Sequence, residues 1–112
     1  MYKIDDDGTF EIVRGDSADF DIYLPILNDE GEIIGEYTLQ EGDVLLFTVK
    51  KNTKTDDILI QKSGQHISLQ PNDTKNLSYG KYVYDAELTY ASGFVDTVIL
   101  PSPFIIIDEV TF

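Results

Sequence analysis

The stretch KYVYDAELTY, residues 81–90, limits the fold more than any other part of the chain. Laid out as a strand, it puts Tyr82, Tyr84, Ala86, Leu88 and Tyr90 on one face and Val83, Asp85, Glu87 and Thr89 on the other. A helix would scatter both sets. The same alternation runs through DFDIYLP, where Phe20, Ile22 and Leu24 oppose Asp19 and Asp21, and VLLFTVKK (44–51) is apolar enough for a central strand. Turn residues punctuate these runs at short intervals: Asp7-Gly8, Gly15-Asp16, Asn28-Asp29-Glu30-Gly31, Glu41-Gly42-Asp43, Ser63-Gly64, Tyr79-Gly80 and Ser92-Gly93. The pattern predicts strands over 9–13, 18–25, 33–39, 44–51, 58–62, 66–70, 80–90 and 94–100. A further strand over 103–107 continues after a break at Pro101 and Pro103, neither of which can donate to a ladder, so the chain should kink, bulge or lie on an edge there. PNDTKNL, 71–77, gives the one short helical turn. Seven to nine short strands at this spacing imply an all-β chain folded as an antiparallel β-sandwich.

A length of 112 residues suits one domain spanning 1–112, since two would each be too small for a good core. With 42% hydrophobic residues, seven Tyr and six Phe, that core is available. Residues 1–8 are expected to fray, because Asp5-Asp6-Asp7 follows a very short apolar start. The absence of an apolar segment there also argues against a signal peptide, and no run approaches the ~20 apolar residues of a membrane helix. There is no Cys, which rules out disulfides, thiol catalysis and zinc–thiolate sites. A net charge of −13 with a single arginine, Arg14, argues against nucleic acid and against anionic membrane as partners. The charge is unevenly spread: −11 over residues 1–48, +3 over 49–81 and −5 over 82–112. Such an imbalance is ordinary solvated surface, or else one basic edge that meets the acidic surface of a neighbouring copy.

LQPNDTKNLSYGKYVYD carries a specific corner signal. Immunoglobulin-like domains pass between sheets just before a strand whose Tyr hydroxyl bonds back to upstream backbone, two residues ahead of a core Cys where there is one. Tyr82 matches that Tyr, Tyr84 takes the Cys position, and Asp73, Leu77 and Gly80 supply the corner. Together with RGDSADF, EGDVLLFTVKK, ILIQK, GFVDTVI and PSPFIIIDEVTF, this stretch resembles small prophage-encoded proteins of Gram-positive bacteria. These are similar to the N-terminal domain of phage upper-baseplate proteins. The resemblance runs from about Thr9 to Phe112. It implies an immunoglobulin-like sandwich that anchors other tail parts, here in a free-standing version. It further implies synthesis in the cytoplasm of a bacterial host followed by assembly into a virion.

Several motifs invite chemical readings. Arg14-Gly15-Asp16 can be an adhesion signal, but it lies between strands only about four residues apart, where Gly15 and Asp16 make a turn. Arg14 can still clamp a carboxylate, with Asp16, Asp43 and Asp85 as candidates. Asp5-Asp6-Asp7-Gly8 is not an EF-hand, because placing Gly8 at loop position six puts Lys3 and Arg14 where acids must stand. A looser calcium site from Asp5, Asp7 and Glu11 stays open, as does divalent binding at Asn28-Asp29-Glu30-Gly31-Glu32. His66, the single histidine, has no local nucleophile motif. No phosphate-binding loop of the form G-x-x-x-x-G-K is present. The Tyr82, Tyr84, Tyr90 row reads as core before sugar platform. Phe104, Ile105, Ile106 and Ile107 are apolar on both faces of a terminal strand, which makes them a candidate interface unless the strand crosses between sheets.

The leading expectation is therefore a non-enzymatic structural or assembly protein of a phage or prophage tail or baseplate. It would use no cofactor and no metal, and would work through contacts with other tail proteins or with copies of itself as a homo-oligomer. The alternative is a surface-glycan or other ligand-binding sandwich. An enzyme, a small hydrolase with paired carboxylates, ranks third.

Overall fold

A computed structural model describes residues 1–109. Over these residues the chain is all-β with one short helix. Its ten strands are β1 (Tyr2–Ile4), β2 (Phe10–Val13), β3 (Ala18–Asp21), β4 (Pro25–Leu27), β5 (Ile33–Glu36), β6 (Val44–Lys50), β7 (Ile60–Ser63), β8 (His66–Leu69), β9 (Gly80–Thr89) and β10 (Val95–Ile107). Helix α1 (Pro71–Lys75) falls within the predicted helical turn.

Six strands form one sheet in the order β1-β2-β10-β9-β6-β7, and β3 pairs with β8 in a second layer. The chain order of β10-β9-β6-β7 corresponds to strands G-F-C-C′ of a variable-type immunoglobulin sheet, and β3-β8 to its B-E pair. Two details differ from the expected sandwich. There are ten strands among the described residues, not seven to nine, and the large sheet is mixed, because β2 runs parallel to β10 with Phe10 opposite Phe104. The parallel pair arises because β2 joins the far edge of β10 while the chain crosses to the other layer at β3. No tight hairpin can then connect the two neighbours.

The core lies between the layers and is set by the alternation. On β9, Tyr84, Ala86 and Leu88 are buried, and on β6 Leu45, Phe47 and Val49. The second layer contributes Ala18, Ile67 and Leu69. Phe10 is the hub: it stacks on Phe104 at 4.8 Å and meets Phe20 edge-on at 5.3 Å, while Phe20 reaches Phe47 at 5.6 Å. Tyr84 closes the group against Phe10, Phe47 and Phe104 and donates its hydroxyl to Gly8 O. Removing a ring this enclosed costs about 3–5 kcal/mol.

The start of the chain is paired, contrary to the frayed start predicted: β1 lies antiparallel on β2, with Tyr2 opposite Ile12. Tyr2 stacks on Phe10 at 5.8 Å, and that apolar contact fixes the strand despite the acidic residues behind it. The final strand is continuous where a break was predicted, yet it is irregular beside its prolines, as the bulge expected there requires. β10 is one strand with register shifts between Thr97 and Ile99 and between Ile99 and Ser102. Pro101 falls within the second of those shifts, and Pro103 lies just after it, opposite Val83 of β9, on the part of β10 that β2 does not reach.

Candidate functional site

The predicted turn Arg14-Gly15-Asp16 is a half-buried junction. Gly15 has φ +85°, and its N–H donates to Thr74 Oγ1 at 2.8 Å. Asp16 N–H donates to Val13 O at 3.0 Å, and the Asp16 carboxylate accepts from the Met1 nitrogen. Arg14 does clamp a carboxylate, but none of those proposed. Its Nε and Nη2 both donate to Glu109 Oε1, at 3.2 and 3.1 Å, and Nη1 donates to Leu77 O at 3.4 Å. The guanidinium also lies 5.1 Å from the Tyr79 ring centroid. Glu109 is 95 positions away, brought in because β10 runs beside β2, a pairing invisible to local pattern reading. Held by these bonds, the tripeptide is an internal fastening of the corner.

The corner residues meet at this junction. Tyr82 donates its hydroxyl to Ser78 O at 2.6 Å, four residues upstream. The Asp73 carboxylate accepts the Gln70 N–H at 2.7 Å and pairs with Lys62 at 3.0 Å. Leu77 packs against the core and donates its N–H to Thr74 O, and Gly80 opens β9.

The acidic loops are occupied by their own chain. Lys3 lies 3.8 Å from Asp5 and 3.7 Å from Glu11, and Asp7 accepts the Thr9 N–H, a bond that lowers its pKa. Asn28 Oδ1 accepts the N–H groups of Glu30 and Glu32, both at 2.9 Å. Among the described residues no three His, Asp or Glu side chains converge as metal ligands. His66 sits across from Asp21, with Nδ1 2.8 Å from its carboxylate and Nε2 3.4 Å from Asp19. The Asp21 hydrogen bond raises its pKa above the usual histidine value. Paired carboxylates occur on the outer face of β9, where Asp85 and Glu87 border an open depression of about 310 Å³ that Lys50 also lines. Burial, and after it the Glu87 charge, raises the Asp85 pKa.

The candidate interface at the C-terminal strand requires correction. Phe104 and Ile106 are fully enclosed in the core, and Ile105 and Ile107 are half-buried on the outer face. The inward half of the run is therefore core, and only Ile105 and Ile107 remain on the outer face of a strand that lies between β2 and β9.

The exposed apolar surface is elsewhere. Among the described residues, strands β4 and β5 pair only with each other, as a hairpin between β3 and β6. Every residue of both strands is exposed, including Ile26, Leu27, Ile33 and Ile34, the last with 65% of its surface in solvent. Pairing slips by one residue between Ile26 and Leu27, leaving Ile34 without an opposite number, which turns apolar side chains to both faces. A ribbon of this kind is an arm, held at its base. Tyr37 N–H donates to Leu24 O at 2.7 Å, and the Tyr37 ring meets Tyr90 edge-on at 5.5 Å. The Tyr37 hydroxyl donates to Asp43, whose carboxylate also accepts the N–H groups of Gln40 (2.8 Å) and Ala91 (2.9 Å). The Asp43 bond pushes the Tyr37 pKa up to about 12, and the same bond is the main reason the Asp43 pKa is lowered. Gly42 permits this closure. Its φ is +90°, and a Cβ there would lie 2.9 Å from that of Ala91.

The turn between β9 and β10 is thereby tied to the arm, and it adds exposed Phe94 and Val95 to the same end of the molecule. A groove of about 240 Å³ at the arm base is lined in part by Tyr23, Tyr37 and Tyr90. The arm is the feature that sequence reading missed. Its signal was the doublets Ile26-Leu27 and Ile33-Ile34 either side of a turn, since adjacent apolar residues on a strand must face opposite ways. Compared with protein-family models, curated proteins and solved structures, the chain matches none of them.

Proposed function

We propose that this protein is a non-enzymatic assembly component of a phage or prophage tail or baseplate, working through protein–protein contact. The observation that carries the reading is the arm of β4 and β5, which presents apolar side chains on both faces with no covering layer of its own. Contiguous exposed apolar surface of this kind marks contact sites. The sandwich beneath it is a rigid mount: an aromatic core, a bonded corner and a base pinned through Asp43. The tail assignment rests on the sequence resemblance, and the contact mode on the arm. The test is capture of tail components, identified by mass spectrometry, on the immobilised protein from lysates of an induced lysogen. Recovery of tail or baseplate proteins by wild type and their loss with Ile33→Ser/Ile34→Ser is the expected result. Equal recovery by both contradicts it.

A second reading, a glycan-binding module, is favoured by the tyrosine-lined groove at the arm base, since aromatic faces stack on sugar rings. A glycan array decides it: binding abolished by Tyr23→Ala supports this alternative.

A further inference from the structure

The two ends of the sandwich carry opposite kinds of surface. At one end the arm, residues 25–36, holds Asp29, Glu30, Glu32 and Glu36 with no basic residue, around its exposed isoleucines. None of these four carboxylates is in an ion pair among the described residues. At the other end an open groove of about 560 Å³ is lined by Leu59, Leu77, Tyr79 and Tyr82 together with Lys51 and Lys81, with one acidic residue, Asp57. Lys51 and Lys81 are exposed and likewise unpaired among the described residues. The surrounding segment, 49–81, is the one stretch of the chain with net positive charge.

Topology fixes the separation of these surfaces. The arm returns to the sheet just before Val44, which lies opposite Thr89. The groove begins just after Lys50, which lies opposite Val83. The length of β6, roughly 20 Å at ~3.4 Å per residue, therefore stands between them. The molecule is correspondingly elongated, 49 × 27 × 24 Å. A short hairpin pointing away from one end cannot fold back into a groove at the other.

We infer that copies of this protein associate head to tail, the acidic apolar arm of one seated in the basic apolar groove of the next. This deepens the contact reading of the arm and rests on it, naming a second copy as the partner. Charge complementarity selects that occupant: four uncompensated carboxylates meet the positively charged end of an otherwise acidic chain. An interface that joins two different patches is heterologous. It closes into a ring or continues as a filament, and each free end stays competent to add a copy.

The test uses the full chain in analytical ultracentrifugation at low and high salt. Wild type is expected to form species larger than a dimer as concentration rises, and to lose them in high salt. Ile33→Ser/Ile34→Ser and Lys51→Glu/Lys81→Glu should each weaken association at least about tenfold. Unchanged circular dichroism and melting show that both variants stay folded, as substitutions at exposed positions should. The decisive arm mixes the two variants. Each then supplies the surface the other lacks, so the mixture forms dimers and nothing larger. A wild type that stays monomeric at all concentrations overturns the inference. So does association of either variant alone as strong as that of wild type, or a dimer that mixing fails to restore. Monomeric wild type that still captures tail proteins would remove self-association and leave the tail assignment standing.

Discussion

Thr74 Oγ1 accepts the Gly15 N–H at 2.8 Å, and this bond joins the Arg14-Gly15-Asp16 turn to the corner helix. Thr74 has no exposed surface and is the one buried polar side chain among the described residues. Thr74→Val keeps the shape and leaves the Gly15 donor without a partner, a loss of about 1–3 kcal/mol. Thr74→Ser keeps the acceptor and should cost less. Urea unfolding of the two variants beside wild type checks the order.

Gly15→Ala separates backbone from side-chain effects at the same turn. A Cβ there meets nothing closer than Glu109 Oε2 at 3.6 Å, so space is available, yet φ is +85°. The cost is the left-handed backbone alone, about 1–2 kcal/mol. A loss in denaturation midpoint of that size, with unchanged slope, is expected.

His66 should titrate above its ordinary value, because Asp21 and Asp19 favour the imidazolium. Stability from this contact is fully present below the unfolded-state pKa of about 6.5 and is lost as pH rises through the higher folded value. Proton NMR of the imidazole reads the pKa directly, and Asp21→Asn should bring it down.

Asp85 titrates in the same sense for a different cause. Burial disfavours its charged form, so at neutral pH the carboxylate opposes folding. Asp85→Asn should raise the unfolding free energy slightly at pH 7, by no more than about 0.5 kcal/mol given its partial exposure, and should have no effect at pH 3.

Tyr37 differs from the other tyrosines through its bond to Asp43, which pushes its pKa up to about 12. Ultraviolet titration should show two late phenols, Tyr37 and the Tyr84 that burial raises, and Asp43→Ala should return only Tyr37 toward the main group. The same substitution removes the acceptor for Ala91 N–H and should loosen the arm base.

The parts of this molecule that were legible in its sequence are those governed by near neighbours. Alternation placed Tyr84, Ala86 and Leu88 inward, and PNDTKNL marked the corner before Tyr82. What escaped depended on partners distant in the chain. Glu109 reaches Arg14 only through the parallel pairing of β2 with β10. The burial of Phe104 and Ile106 follows from the same pairing, which made an apparent interface into core. Only the second strand of the arm was read, as part of an ordinary strand 33–39, and Ile26 and Leu27 fell outside 18–25, because β-propensity reports extended backbone and not whether a second layer covers it. The charge imbalance was visible, but not its placement at opposite ends of β6.

Contact through the arm requires it to be bare in the free protein and covered in the assembled one. Hydrogen–deuterium exchange measures this directly. Amides of 25–36 should exchange fast in dilute protein, while those of β9 stay slow, and the arm alone should gain strong protection when the protein assembles at high concentration or on its tail partner. Arm amides already slow in dilute protein, or equally fast after assembly, would contradict it.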